Sequence, residues 1–139
     1  MIKPINKDLL FLAQPSAPAD PKDPADREVA QDLLDTLKAH QEECIGLAAN
    51  MIGVSKRIIV VNFGLLDMVM YNPVITAKED PYEDFEECLS IPGSRRVTRY
   101  RVIEVEFTDP SGKQHKQRFR ELPAQTIQHE CDHLEGILV

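Results

Sequence analysis

Two histidines four positions apart, His129 and His133, stand near the end of the chain, and Glu130 lies between them. Residues four apart lie on one face of a helix, so both imidazoles can reach a single metal ion. The glutamate can then contact a water molecule at that ion and accept its proton. This His-Glu-x-x-His pattern predicts a metal-dependent hydrolase.

The third metal ligand has to come from earlier in the chain. Only six residues follow His133, and Glu135 is too close on the same helix to turn toward the ion. A catalytic metal site usually has three protein ligands and one open position. The upstream candidates are side chains that commonly bind metals: Cys44, Cys88, His40, His115 and several carboxylates. A thiolate is the strongest of these candidates, which leaves Cys44 and Cys88 as alternatives.

Two helices and several strands are expected to position these residues. Apolar residues recur at helical spacing over residues 26–43, and a second helix is predicted from Pro123 to Gly136, carrying the metal pattern. Between the helices, β-branched and alternating residues predict strands. The strands are expected at residues 57–61, 68–72, 89–91, 97–108 and 113–120, with residues 44–49 extended and the proline-rich residues 14–24 forming a surface loop. This order predicts an α+β domain.

Length and composition fit one domain that spans residues 1–139 and buries its own core. The chain contains no apolar run long enough to cross a bilayer and no amino-terminal signal pattern, so we expect a cytoplasmic protein that does not bind membranes. Three cysteines, an odd number, argue against a secreted disulfide framework. The net charge of −7 argues against general nucleic-acid binding.

Three segments of the chain together match a known pattern. They are residues 45–49 (IGLAA), residues 86–90 (EECLS) and residues 128–136 (QHECDHLEG). The chain resembles the peptide deformylases, in which these segments read GxGLAAxQ, EGCLS and QHExDHLxG. The resemblance covers nearly the whole chain. It implies antiparallel sheets packed around a C-terminal helix that carries the metal pattern, plus one N-terminal helix.

The resemblance also implies a set of metal ligands, a cofactor and a substrate. It makes Cys88 the third ligand beside His129 and His133, and it leaves Cys44 and Cys131 as packing residues. Ferrous iron is the expected metal, although a site with two histidines and a cysteine can also hold zinc, nickel or cobalt. The implied reaction removes the formyl group from the N-terminal formylmethionine of nascent polypeptides and releases formate. The ribosome is a candidate partner, and the oligomeric state is not predicted.

The resemblance further implies which groups contact the substrate. Glu130 transfers a proton from water to the departing amine, and the backbone N–H of Leu89 donates a hydrogen bond to the developing oxyanion. The expected substrate-binding residues are Ile45, Gly46, Met51, Glu87 and Arg95. An ion pair between Arg95 and Glu43 is expected to brace the site.

This chain departs from the family pattern at three positions. Met51 replaces a glutamine whose amide donates to the substrate carbonyl, and loss of such a donor typically lowers turnover by ~10²–10³. Asn50 is expected to point to the opposite face of an extended segment, so its amide is not expected to replace the missing donor. Glu87 and Cys44 each replace a glycine. The main hypothesis is a working, slow deformylase. The alternatives are a weak paralogue, an enzyme with a different N-acyl substrate, and a non-catalytic metal-binding module.

Overall fold

The computed structural model describes residues 1–139 and contains three α-helices and five β-strands. In chain order the elements are α1 (Leu9–Leu12), α2 (Pro24–Ala39), β1 (Gly46–Ala48), a 3₁₀ turn (Ala49–Ile52), β2 (Ile58–Asn62), β3 (Asp67–Cys88), β4 (Ile91–Thr108), β5 (Gln114–Arg120) and α3 (Glu121–Leu134). The α+β class, the antiparallel pairing and the C-terminal helix are confirmed. No helix of the protein is both long and apolar enough to span a membrane.

All five strands form one antiparallel sheet in the order β1-β2-β3-β4-β5, where several sheets had been expected. The difference arises from the length of β3 and β4, which have 22 and 18 residues and pair along almost their whole length. Register shifts interrupt this pairing near Tyr71, Ile75 and Glu87. Such irregularities bend a strand, so the long β3–β4 hairpin can change direction along its length.

Several predicted elements have different boundaries in the structure: the strand predicted at 68–72 continues as β3 to Cys88, and the strand predicted at 97–108 begins as β4 at Ile91. Residues Leu89 and Ser90 form the turn between β3 and β4, so the strand predicted at 89–91 is wrong. The helix predicted over 26–43 is α2, which begins at Pro24 after the capping residue Asp23 and ends at Ala39. The structure adds the short helix α1, where four residues are too few to show helical periodicity.

The core lies between the sheet, α2 and α3. Four consecutive residues of β2, Ile58 to Val61, are fully buried, as expected for a strand covered on both faces. Leu33 and Leu37 bury one face of α2, and Ile127 and Leu134 do the same for α3. Burial of these side chains fixes α3 against the sheet.

A side-chain clamp also fixes α3 against β4. The Gln128 amide oxygen accepts from the backbone N–H of Tyr100 at 2.9 Å, and the Gln128 amide nitrogen donates to the Tyr100 carbonyl at 2.8 Å. Gln128 is buried, so a rotation of α3 would leave these polar groups without partners. The clamp therefore sets the orientation of the residues that follow it on the helix.

Candidate active site

Three possible metal ligands converge at the junction of β3 and α3. The Nε2 atoms of His129 and His133 are 3.2 Å apart, and the Cys88 Sγ atom lies 3.4 Å from His133 Nε2. All three donor atoms lie within 4.8 Å of one another. Around a tetrahedral ion with ordinary bond lengths, the corresponding separations are about 3.4 Å for two nitrogens and about 3.6 Å for nitrogen and sulfur. The donor set therefore fits a metal ion.

The fold brings Cys88 to the histidine pair, whereas Cys44 lines the same cavity without joining the donor group. Cys88 is the last residue of β3, beside a register shift in the pairing with β4. His40 instead contacts Glu43, and His115 contacts Asp109 at 2.6 Å. Cys44 and the histidine pair do not form a donor group of this kind, and the Cys88 group is the one such group in the structure.

A buried charge network holds His129, and motif reasoning did not find it. The Glu86 carboxylate accepts from His129 Nδ1 at 2.7 Å, which directs the His129 Nε2 atom toward the other donors. Arg99 donates two hydrogen bonds to Glu86, at 2.7 and 2.9 Å, and a third to Asp132 at 2.7 Å. One arginine thus connects β3, β4 and α3.

The network keeps Glu86 ionised inside the protein. Although burial opposes ionisation, hydrogen bonds from His129, Arg99 and Gln125 together lower the Glu86 pKa to about 2. Arg99 is 4% exposed and Glu86 is 8% exposed, so neither charge is compensated by water. Arg99 gave no local sequence signal, because an arginine in an alternating strand resembles an ordinary surface residue.

Replacement of Arg99 with methionine is expected to destabilise the fold by ~3–5 kcal/mol, because Glu86 and Asp132 would lose their buried counter-ion. Urea denaturation at equal metal loading measures this effect. Arg96→Met is the matched control on the same strand, since the side chains of Arg96 and its partner Glu83 are 68% and 51% exposed. The Arg96→Met control is expected to lower the free energy of unfolding by less than about 1 kcal/mol. Equal losses in the two variants would show that the buried network has no special role.

Glu130 is a buried carboxylate beside the donor group. One carboxylate oxygen, Oε1, has no hydrogen-bond partner, and the side chain lines a cavity of ≈ 320 Å³. Burial raises the Glu130 pKa to about 7. An unpaired carboxylate that can gain or lose a proton near neutral pH is suited to general acid–base chemistry.

Gly46 allows the β1 backbone to approach Glu130 closely. A Cβ atom at this position would lie 2.8 Å from Thr126 Cγ2 and 2.9 Å from Glu130 Oε2. Both distances are shorter than real Cβ atoms show, so any side chain at residue 46 would displace Glu130 or the strand. Gly46 therefore lines the cavity, and its contribution is the absence of a side chain.

The cavity brings together most of the residues that the sequence singled out. Its walls come from the segment before β1, the 3₁₀ turn, the end of β3 and one face of α3. Of the predicted site residues, those that line it are Ile45, Gly46, Met51, Glu87, Cys88, Leu89, His129 and Glu130. His133 is fully buried behind the cavity wall, and Arg95 does not line it.

The ion pair expected between Arg95 and Glu43 is absent. Arg95 donates to the backbone carbonyls of Pro92 at 2.8 Å and of Gly93 at 3.4 Å. Glu43 instead contacts His40, with 3.4 Å between Oε2 and Nδ1. The prediction was wrong because the side chain of Arg95 folds back onto its own β3–β4 turn.

Asn50 and Met51 lie in a 3₁₀ turn, and not in the extended segment expected from the sequence. Residues 49–52 form a 3₁₀ turn, which directs the buried Met51 into the cavity wall, with Sδ accepting from the Ala48 N–H at 3.5 Å. Asn50 is only 1% exposed, and its amide donates to the backbone carbonyl of His133 at 2.8 Å. Asn50 therefore supports α3 below the donor group and does not contact the cavity.

Comparison with known proteins identifies the family. A family model described as "Polypeptide deformylase" matches residues 2–139. A peptide deformylase of Clostridium beijerinckii is 53% identical over 139 residues, which is 100% of both chains. One of Desulfitobacterium hafniense is 38% identical over 128 residues and covers 91% of this chain and 84% of its own.

Solved structures agree with the sequence relatives. A peptide deformylase from Legionella pneumophila superimposes with a TM-score of 0.89 at 31% identity, covering 99% of this chain and 83% of that one. The class I type b peptide deformylase from Acinetobacter baumannii bound to Met-Ala-Ser gives a TM-score of 0.89 at 27% identity, covering 99% and 97%. With this sheet, helix and donor group, the chain belongs to the peptide deformylase family. It is an enzyme of that family, whose members remove the N-formyl group from nascent chains in a metal-dependent reaction.

Proposed function

We propose that this protein hydrolyses the N-formyl group of formylmethionyl peptides at the site formed by Cys88, His129, His133 and Glu130. The observation that carries the proposal is the placement of a buried, partly unpaired carboxylate beside three donor atoms at metal-binding separations. Three protein ligands leave one position of a tetrahedral ion open, which is typical of catalytic sites. We also propose that the reaction occurs in the cytoplasm on nascent chains, with the ribosome as a candidate partner.

We propose that Cys88, His129 and His133 hold one divalent ion, with Fe(II) as the first choice and zinc, nickel or cobalt as alternatives. A mixed thiolate and imidazole donor set is compatible with all of these metals. When bound, the ion would polarise the formyl carbonyl and lower the pKa of a water molecule. The hydrogen bond from His129 Nδ1 to Glu86 supports this assignment, because it fixes the ring with Nε2 free for the ion.

The remaining chemistry is assigned to residues of the cavity wall. Glu130 would accept a proton from the attacking water and then deliver it to the amine as the carbon–nitrogen bond breaks, so that formate and a free amino terminus leave. The backbone N–H of Leu89 would donate to the oxygen on which negative charge develops. The methionine side chain would occupy the ≈ 320 Å³ cavity.

Met51→Gln is expected to raise kcat by up to ~10²-fold, because it supplies an N–H donor for the developing oxyanion. Met51 lies in the cavity wall, so a glutamine there can reach the same space. Turnover of a formylmethionyl peptide at saturating substrate measures the effect. Met51→Leu, which changes the side chain without adding a donor, is the control, and equal rates for the leucine and glutamine variants would argue against a missing donor.

The proposed function is tested by formate release from a formylmethionyl peptide with anaerobically prepared protein loaded with ferrous iron. Release that depends on the metal is expected, together with a stoichiometric free amino terminus. No release from protein with confirmed metal content would contradict the proposal and favour a different N-acyl substrate or a non-catalytic role. No feature of the cavity favours either of these alternatives.

A further inference from the structure

The mouth of the cavity is acidic. Of the residues that line the cavity, only Glu43, Glu87 and Leu122 are exposed. Glu43 lies just before β1, Glu87 lies near the end of β3, and Leu122 lies in the first turn of α3. These three residues come from different walls and reach solvent, so they frame the opening, and two of them carry a carboxylate.

Neither carboxylate at this opening forms an ion pair with a lysine or arginine. No lysine or arginine lines the cavity, and Glu86, which also lines it, is already neutralised by an arginine. Glu87 forms no ion pair, and the one charged contact of Glu43 is with His40 at 3.4 Å. Arg95, the first arginine after the cysteine ligand, donates to backbone carbonyls of its own turn. A bound peptide therefore meets two carboxylates, of which Glu87 has no ion-pair partner and Glu43 has only His40.

The residues of a substrate that pass this opening can be identified from the site geometry. In the proposed reaction the formyl carbon lies beside Cys88 and Glu130, and the methionine side chain fills the cavity. The rest of the peptide then has to leave through the mouth between Glu43 and Glu87. An extended chain advances ~3.3 Å per residue, so the second and third residues pass within several ångströms of the two carboxylates.

We propose that Glu43 and Glu87 select formylated peptides that carry lysine or arginine at the second or third position and disfavour those that carry aspartate or glutamate there. This selection rests on the proposed function. Charges several ångströms apart at a partly solvated surface interact strongly enough to change kcat/KM several-fold. With attraction in one case and repulsion in the other, the cationic peptide is expected to be hydrolysed on the order of 10-fold more efficiently than the anionic peptide.

The test compares formyl-Met-Lys-Ser, formyl-Met-Ala-Ser and formyl-Met-Glu-Ser as substrates of the metal-loaded full chain. The kcat/KM ratio of the lysine to the glutamate peptide is expected to be about 10 at low ionic strength and to fall in 0.5 M salt, roughly as screening predicts. Glu43→Gln and Glu87→Gln are each expected to lower the ratio, and the double variant to bring it within about 2-fold of unity. Glu42→Gln removes the same charge from an exposed residue outside the cavity and is expected to keep the ratio unchanged.

The outcomes separate the two proposals. Formate release from formyl-Met-Ala-Ser with equal efficiency for the lysine and glutamate peptides would overturn the charge selection and leave the proposed function intact. A wild-type ratio that persists in the double variant would show that other residues produce the preference, and it would also overturn the assignment to Glu43 and Glu87. No release from any of the three peptides would overturn the proposed function and the charge selection with it.

Discussion

Glu130→Ala is expected to lower kcat/KM by at least ~10²–10⁴ while the protein keeps its metal, because the variant removes the group that accepts and returns the proton. The donor atoms of Cys88, His129 and His133 are not contributed by Glu130, and their geometry is set by other contacts. Formate release and metal content measured on the same preparation test both parts of this result.

The control for this variant is Glu135→Ala. Glu135 lies at the end of the same helix, pairs with Arg57 at 2.8 Å and does not line the cavity. Its removal is expected to leave turnover within about 2-fold of the unmodified protein, as for most surface substitutions. Unchanged turnover in Glu130→Ala with full metal content would falsify its role as the general base.

Cys88→Ser is expected to weaken metal retention by more than ~100-fold, because even loss of a residue that merely supports a ligand costs ~10–100-fold in affinity. A hydroxyl is also a much poorer ligand than a thiolate for the metals proposed here. Activity should fall in parallel and be partly restored by excess metal. Dialysis against a chelator, followed by metal analysis, gives the measurement.

Cys131→Ala is the matched control for the cysteine variant. Cys131 is a buried residue of α3 that belongs to the hydrophobic core and not to the donor group. Like Cys88→Ser, the Cys131→Ala variant lacks one thiol, but its metal retention is expected to equal that of the unmodified protein. If Cys88→Ser protein remained fully metallated with an unaltered coordination spectrum, another side chain would have to be the third ligand.

The parts of the site predicted directly from the sequence are those encoded by local spacing. His129, Glu130 and His133 lie on one helix, so their relative positions follow from helical geometry alone. Helical geometry could not choose the third ligand, because Cys88 approaches His133 from 45 residues away. That choice came from the resemblance, and the structure brings Cys88 to the histidines.

The remaining features depend on contacts between distant segments. The middle of β3, around Glu79 and Asp80, is exposed on both faces, so it lacks the alternation that marks a strand, and its pairing with β4 is not visible locally. The position of Asn50 depends on a hydrogen bond to a residue 83 positions away. Arg99 joins partners 13 and 33 positions away.

The division of the donor group between β3 and α3 also determines when the protein can acquire its metal. During synthesis the sheet is made first, and Cys88 emerges well before the two histidines. The fold cannot offer three donors, the Glu86 hydrogen bond or the Gln128 clamp until α3 has left the ribosome and packed onto the sheet. A protein that processes the ends of growing chains therefore completes its own metal site only after the whole sheet has been made, through the helix that also closes its core.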